Sequence, residues 1–205
     1  CPCGKPQSFE DTLRRDQKDC PLALELARRL VQRMKDGMPH KQLVLALSQD
    51  LRRVHNRARF RLEGRPVRGP EPPVVEVVVF SDFSCPYCAA VSKPVQQIVE
   101  KLGATLYFKF TPIVHHPHAV NAAHAAWAAH RQGKFWAMHD ALFEHRAQLT
   151  PELIEKAAEK VGLDMRRFII DRASTDAARM IAEDDEDSEK YGVEGTPTFF
   201  VGGYP

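Results

Sequence analysis

The sequence predicts an α/β domain, 57–205, preceded by a small cysteine-bearing helical hairpin, 1–56, and three observations predict it. Two leucine-rich stretches between 21 and 54 repeat at helical spacing. The apolar run "VVEVVVF" (74–80) is followed by a helical pattern and then a second apolar run, "ATLYFKF" (104–110). Residues 117–191 are helical in pattern before the chain returns to strand in "TPTFFVGG". At 205 residues, one domain with a sizeable core and a smaller appendage can be accommodated. Hydrophobic content of 43% and charged content of 27% are ordinary for globular chains. A net charge of +2 gives no reason to expect nucleic acid or an anionic membrane surface as partner. No run approaches the ~18 apolar residues that span a bilayer. The first residue is cysteine rather than methionine, so the expectation is a processed or cut N-terminus with any targeting segment beyond it.

Taken in order, "PLALELARRLVQRMK" (21–35) puts Leu22, Leu26 and Leu30 on one face, with Pro21 suited to a first turn and Gly37 to the end. A second helix follows in "PHKQLVLALSQDLRRV", where Leu43, Leu47, Leu51 and Val54 share a face. The shared apolar stripe either packs on the neighbouring domain or supports a homo-oligomer through 21–56. In "RARFRL" (57–62) arginines alternate with Ala58, Phe60 and Leu62, the pattern of a half-buried edge strand. Seven arginines lie between 52 and 68, but an edge strand guarded by charge explains them without nucleic acid. The run at 74–80 reads as a central strand, 86–101 as a helix and 104–110 as a strand parallel to the first. Further on, Thr150 suits a helix cap, Pro151 a first turn and Gly162 a helix end. The acidic "EDDEDSEK" reads as a solvated helix face, with Ca²⁺ the sharper alternative.

The chemistry lies in "FSDFSCPYC". A structural zinc site needs four ligands, and Cys85-x-x-Cys88 has no second pair of that spacing. The nearby His115, His116 and His118 sit in a turn interrupted by Pro117, so no metal is expected. His124, His130, His139 and His145 read as surface or packing residues. The redox reading has more physics behind it. Cys85 follows a buried strand and opens a helix, where free N–H groups and the helix dipole favour thiolate below the free value of ~8.5. Pro86 suits the first turn, and Cys88 lies nearly one turn on, more shielded. An exposed Cys85 would attack, and Cys88 would resolve the mixed disulfide.

"VVVFSDFSCPYC", "GVEGTPTFFVGG" and the helical segment "FTPIVHHPHAVNAAHAAWAAHRQGKFWAMHDALFEH" together resemble the DsbA-like branch of the thioredoxin superfamily, over about 57–203. The resemblance implies a thioredoxin fold with a long helical insertion at about 117–191. It makes Cys85 the nucleophile, Cys88 its partner, and Thr196-Pro197 the cis-proline loop that, with Pro86 and Tyr87, meets substrate. Threonine before that proline, with C-P-Y-C, is more similar to isomerase and reductase relatives than to the strong oxidant DsbA. Two departures stand out. Many relatives carry a buried acid six residues before the first cysteine, where this chain has Val79; Asp82 and Glu76 are the nearest carboxylates. Relatives also continue into a further strand and helix, so a C-terminal strand and helix are expected to be missing here.

The implied activity is thiol-disulfide exchange with cysteines of exported proteins, in the isomerase or reductase direction. It requires no cofactor, and a separate redox partner to reset the pair. The alternative is a thioredoxin-fold chaperone or binding module for extended polypeptides; a cytosolic glutaredoxin-like enzyme is disfavoured by the long helical insertion. Three cysteines in the first twenty residues suit an extracytoplasmic setting, periplasm or the outer face of a membrane. Cys3 or Cys1 bonded to Cys20 would staple a segment without a core of its own. Other readings of the segment are a lipid anchor at Cys1 or a second thiol-exchange site.

Overall fold

The computed structural model describes residues 21–55 and 57–205, with side chains from 26 to 50 and from 57 onward. Cys1, Cys3 and Cys20, and with them the staple and lipid-anchor readings, lie outside the described residues. The chain divides into two compact units, of which the second runs from Ala58 to Gly203.

The first unit contains two helices, α1 (Pro21–Lys35) and α2 (His40–His55), joined through Gly37 at φ 79°. Leu26 and Leu43 are buried, and Arg33 donates to the buried Asp50 carboxylate at 2.6 Å.

The second unit is built on a four-stranded sheet in the order β1-β3-β2-β4. Its elements are β1 (Val67–Arg68), β2 (Glu76–Ser81), α3 (Pro86–Leu102) and β3 (Thr105–Phe110), then helices α4 (Ala119–Arg131), α5 (Phe135–Glu144), α6 (Pro151–Val161), α7 (Met165–Arg172) and α8 (Thr175–Lys190), and finally β4 (Thr198–Val201). β2 and β3 pair in parallel around the α3 crossover; β1 pairs antiparallel with β3, and β4 antiparallel with β2. The strand period of two sorts the central residues by face. Val77, Val79, Leu106, Phe108 and Phe110 join the core beneath the helices, while Val78, Phe80 and Tyr107 join a smaller cluster on the other side. The helix boundaries follow the sequence signals. Thr150 Oγ1 accepts the Leu153 N–H at 3.3 Å, Pro151 opens α6, and Gly162 closes it at φ 76°.

Two expectations need correction. Residues 57–62 have alternating burial, with Ala58 buried and Arg57, Arg59 and Arg61 exposed, but they form no strand ladder. Their backbone is held by other means: the Tyr191 hydroxyl accepts from Arg59 N at 3.2 Å and donates to Arg59 O at 2.8 Å, and Arg61 N donates to Asp187. The acidic segment of α8 is solvated on one side only, with Asp185, Glu186 and Glu189 exposed. Asp184, Asp187 and Ser188 recur at helical spacing and point inward, with exposures of 0%, 3% and 7%. Lys109, fully buried on β3, donates to Asp184 at 2.7 Å and Asp187 at 2.6 Å, and the buried Arg65 donates to Asp184 at 2.7 Å.

Candidate redox site

The site forms where β2 runs into α3. After Ser81 the chain turns through Asp82 and Phe83, both 1% exposed. The Asp82 carboxylate organises this turn. One oxygen accepts Ser84 N at 2.6 Å; the other accepts Ile113 N at 2.7 Å and His116 Nδ1 at 2.8 Å. The Ser84 hydroxyl donates to Pro117 O at 3.0 Å, and Cys85 N donates to Asp82 O at 3.2 Å. Asp82 is therefore not a substitute for the acid absent at Val79. Its carboxylate ties the cysteine loop to the histidine-bearing turn after β3.

Cys85 is the N-cap of α3, and Pro86 occupies its first turn. Cys88 N donates to Cys85 Sγ at 3.4 Å, so one otherwise unpaired helix-start donor is spent on sulfur. The Cys85 thiol in turn donates to Thr196 O at 3.4 Å, which brings together two segments 111 residues apart. Thr196–Pro197 is a cis peptide. Both cysteines are free thiols.

The expected contrast in exposure between the two cysteines is absent: Cys85 is 3% exposed and Cys88 2%. The loop at Thr196 lies against Cys85, and neither its N-cap position nor its place in the loop revealed that cover. The exposed part of the motif is Pro86 with Tyr87, the latter 72% exposed. What distinguishes the thiols is their surroundings. Burial pushes the Cys88 thiol up to about 11, while the Asp82 backbone and the Ser81 and Thr196 side chains pull more weakly toward the anion. The Thr196 hydroxyl is buried without a hydrogen-bond partner in this dithiol form.

A small cavity opens behind Cys88, lined by Val79, Ser81, Phe108, Pro197 and His139 among others. His139 is a functional candidate that the sequence reading passed over as a surface or packing residue. It is 3% exposed, packed edge-on to Phe83, Phe108 and Phe143, and its Nδ1 lies 2.8 Å from Asp140 Oδ1. The signal was present, since residue 139 shares a helical face with Phe135 and Leu142. Among the described residues, no three His, Cys, Asp or Glu side chains converge as a metal site would require.

The comparisons with known proteins agree with this geometry. The family model described as Thioredoxin matches residues 62–205. A thioredoxin-like oxidoreductase from Silicibacter pomeroyi DSS-3 is similar at 32% identity and a TM-score of 0.61, covering 68% of this chain and 80% of that one. The thiol-disulfide exchange protein alpha-DsbA2 from Wolbachia pipientis shares the fold, with a TM-score of 0.64 at 24% identity over 68% of this chain and 76% of its own. Among curated relatives, the Na(+)/H(+) antiporter NhaA 3 of Salinispora tropica is 40% identical over 139 residues, which is 67% of this chain and 21% of that protein. The chain thus spans about a fifth of the length of that relative. The chain belongs to the thioredoxin family, with the fold of its DsbA-like thiol-disulfide oxidoreductases.

Proposed function

We propose that the protein exchanges disulfides with cysteine-containing polypeptides through Cys85 and Cys88, in the isomerase or reductase direction. The observation that carries the reading is the sulfur of Cys85, capping α3 with a donor from Cys88 N at 3.4 Å and Thr196 O at the same distance on its other side. Cys85 attacks a substrate disulfide, or is attacked by a substrate thiolate, and Cys88 closes or opens the internal bond. Thr196, Pro197, Pro86 and Tyr87 form the face that meets an extended chain, through backbone pairing at Thr196 and apolar contact at the exposed ring of Tyr87.

The surroundings of the sulfurs support this direction. Tyr87 brings no cation to Cys85, and burial keeps Cys88 protonated. Less stabilisation of thiolate disfavours the dithiol form, so the disulfide is a weak oxidant. The substrates in this reading are exported proteins, the setting is extracytoplasmic, and a separate reductant resets the pair. Residues 21–56 provide self-association through the apolar positions that α1 and α2 leave exposed, Val31, Met34, Val44 and Leu45. Antiport is named for the longer relatives and is not part of this proposal.

Equilibration with glutathione buffers, followed by thiol counting on the acid-quenched protein, tests the reading. The expected potential lies below the ~−120 mV of the strongest oxidant of this fold. A potential at or above that value overturns the direction, and failure to form any Cys85–Cys88 disulfide overturns the activity.

A further inference from the structure

For Cys88 to attack the mixed disulfide, its proton has to leave a buried thiol held up at about 11. The Asp82 carboxylate is already engaged by three donors, Ser84 N in the cysteine loop and Ile113 N and His116 Nδ1 in the 113–116 turn. The cavity behind Cys88 is walled by Val79, Ser81, Phe108, Phe199 and other uncharged residues; besides Cys88 itself, His139 is the one ionisable residue lining it among the described residues. The space is about 20 Å³ for a water-sized sphere, enough for one bridging water. His139 comes to this cavity from α5 and is held by its neighbour. Asp140 is an acceptor, so the Nδ1–Oδ1 contact of 2.8 Å places the ring proton on Nδ1 and leaves the lone pair on Nε2. The side chain of Asp140 is 48% exposed, whereas that of His139 is 4% exposed. The buried Cys88 thiol and the His139 imidazole therefore line one cavity with room for a water, and the imidazole is hydrogen-bonded to a half-exposed carboxylate.

We propose that His139 accepts the Cys88 proton across this cavity, with Asp140 orienting the ring and linking it to solvent. The proposal rests on the exchange reading above. The step begins from Cys85 joined to a substrate sulfur. The Cys88 proton passes through the bridging water to Nε2, and the thiolate attacks Cys85 Sγ. The Cys85–Cys88 bond forms as the Cys85–substrate bond breaks. The substrate leaves with the electron pair as thiolate, reduced, while Cys88 is oxidised. The imidazolium, adjacent to the Asp140 carboxylate, returns its proton to solvent. In the reverse direction the ring takes up a proton from solvent and passes it to Cys88 as a substrate thiolate opens the disulfide. The charged groups that face the ring are Asp140 on its own helix and Arg68 from β1; α3 contributes only Cys88 and uncharged side chains to the shared cavity. Burial holds His139 below its ordinary value, against the Asp140 contact, so the ring is a neutral acceptor near neutral pH.

The test follows both steps of exchange with oxidised glutathione by rapid quench and intact-mass detection, from pH 6 to 10. His139→Gln is expected to slow closure of the glutathione mixed disulfide by about tenfold or more at pH 7. Its formation is expected to stay within about twofold of wild type. Closure in the variant should then rise with hydroxide across the whole range, where the wild-type rate levels off once His139 is neutral. Asp140→Asn, which alters a half-exposed side chain, is expected to slow closure by a smaller factor in the same direction. Closure in His139→Gln at the wild-type rate with the wild-type pH profile overturns the proposal, and so does an equal fall of formation and closure, which marks a packing role. Unchanged closure in Asp140→Asn removes Asp140 from the path. If oxidised glutathione converts the wild-type dithiol to neither a mixed disulfide nor a Cys85–Cys88 disulfide, the exchange reading itself is overturned, a result distinguishable from all of these.

Discussion

The two faces of the sheet bury polar groups in opposite ways. Strand β3 sends Phe108 and Phe110 toward the helical core, with Phe108 in the wall of the Cys88 cavity, while Tyr107 and Lys109 point to the other side. There the buried charges of Arg65, Lys109, Asp184 and Asp187 are paired with one another. Lys109 lies between the rings of Phe60 and Phe80, 5.8 Å from each centroid, and contacts both Asp184 and Asp187. Arg65 adds a second cation to Asp184, and Phe110 N donates to the same carboxylate at 2.8 Å. The reactive face is less settled: Cys88 is buried at a cost to its anion, and the buried Thr196 hydroxyl, which makes no hydrogen bond in the dithiol form, favours that anion. Saturated partners fix a structure. Groups left short of partners keep the capacity to bond differently in another redox state, which an exchanging site requires.

Substitutions on each face should separate these roles. The largest effect expected is on activity: Cys85→Ser abolishes exchange with oxidised glutathione while the thermal midpoint stays close to wild type. The measurement is mixed-disulfide formation alongside a melting curve, and retained exchange would break the contrast at once. On the other face, Lys109→Met leaves two carboxylates in the core with one fewer cation, at a cost of about 3–5 kcal/mol. Urea unfolding should show that loss, with exchange per folded molecule unchanged.

The pH dependence is intermediate in size and belongs to the reactive face. The Cys88 thiol is raised from 9.0 to about 11 in the folded protein, so the folded state holds its proton more tightly than the unfolded state. The associated stability is complete below pH 9 and is lost as pH climbs through about 11, amounting to about 3 kcal/mol for two units. The difference in unfolding free energy between the reduced protein and Cys88→Ala should decline over that window and stay flat below it. The smallest expected effect is on the structural face. Tyr191→Phe removes the two hydrogen bonds to Arg59 and should cost about 1 kcal/mol, with no change in exchange rate.

The same contrast explains what could be read from the sequence. Cys85, Pro86 and Cys88 were legible because their geometry is local: a strand end, a helix start and a proline in its first turn. The bounds of α6 were legible because Thr150, Pro151 and Gly162 act on their own backbone. The charge network was not, because Asp184 meets Lys109 across 75 residues and helical spacing alone does not say which face of an acidic helix turns inward. Residues 57–62 misled for a related reason. Alternating burial mimics a strand, but the backbone partners are Tyr191 and Asp187, 132 and 126 positions away. His139 was legible in principle from its spacing with Phe135 and Leu142; its relation to Cys88 depends on how α5 packs behind α3, which no local pattern encodes.

The most direct measurement for the division of labour between the two sulfurs is trapping. Cys88→Ala and Cys85→Ala are each mixed with a peptide disulfide at neutral pH, quenched with acid and weighed intact. With Cys85 as the attacking sulfur, Cys88→Ala accumulates a stable peptide adduct on Cys85 and Cys85→Ala accumulates none. Equal adducts in the two variants, or an adduct on Cys88 alone, would contradict the account.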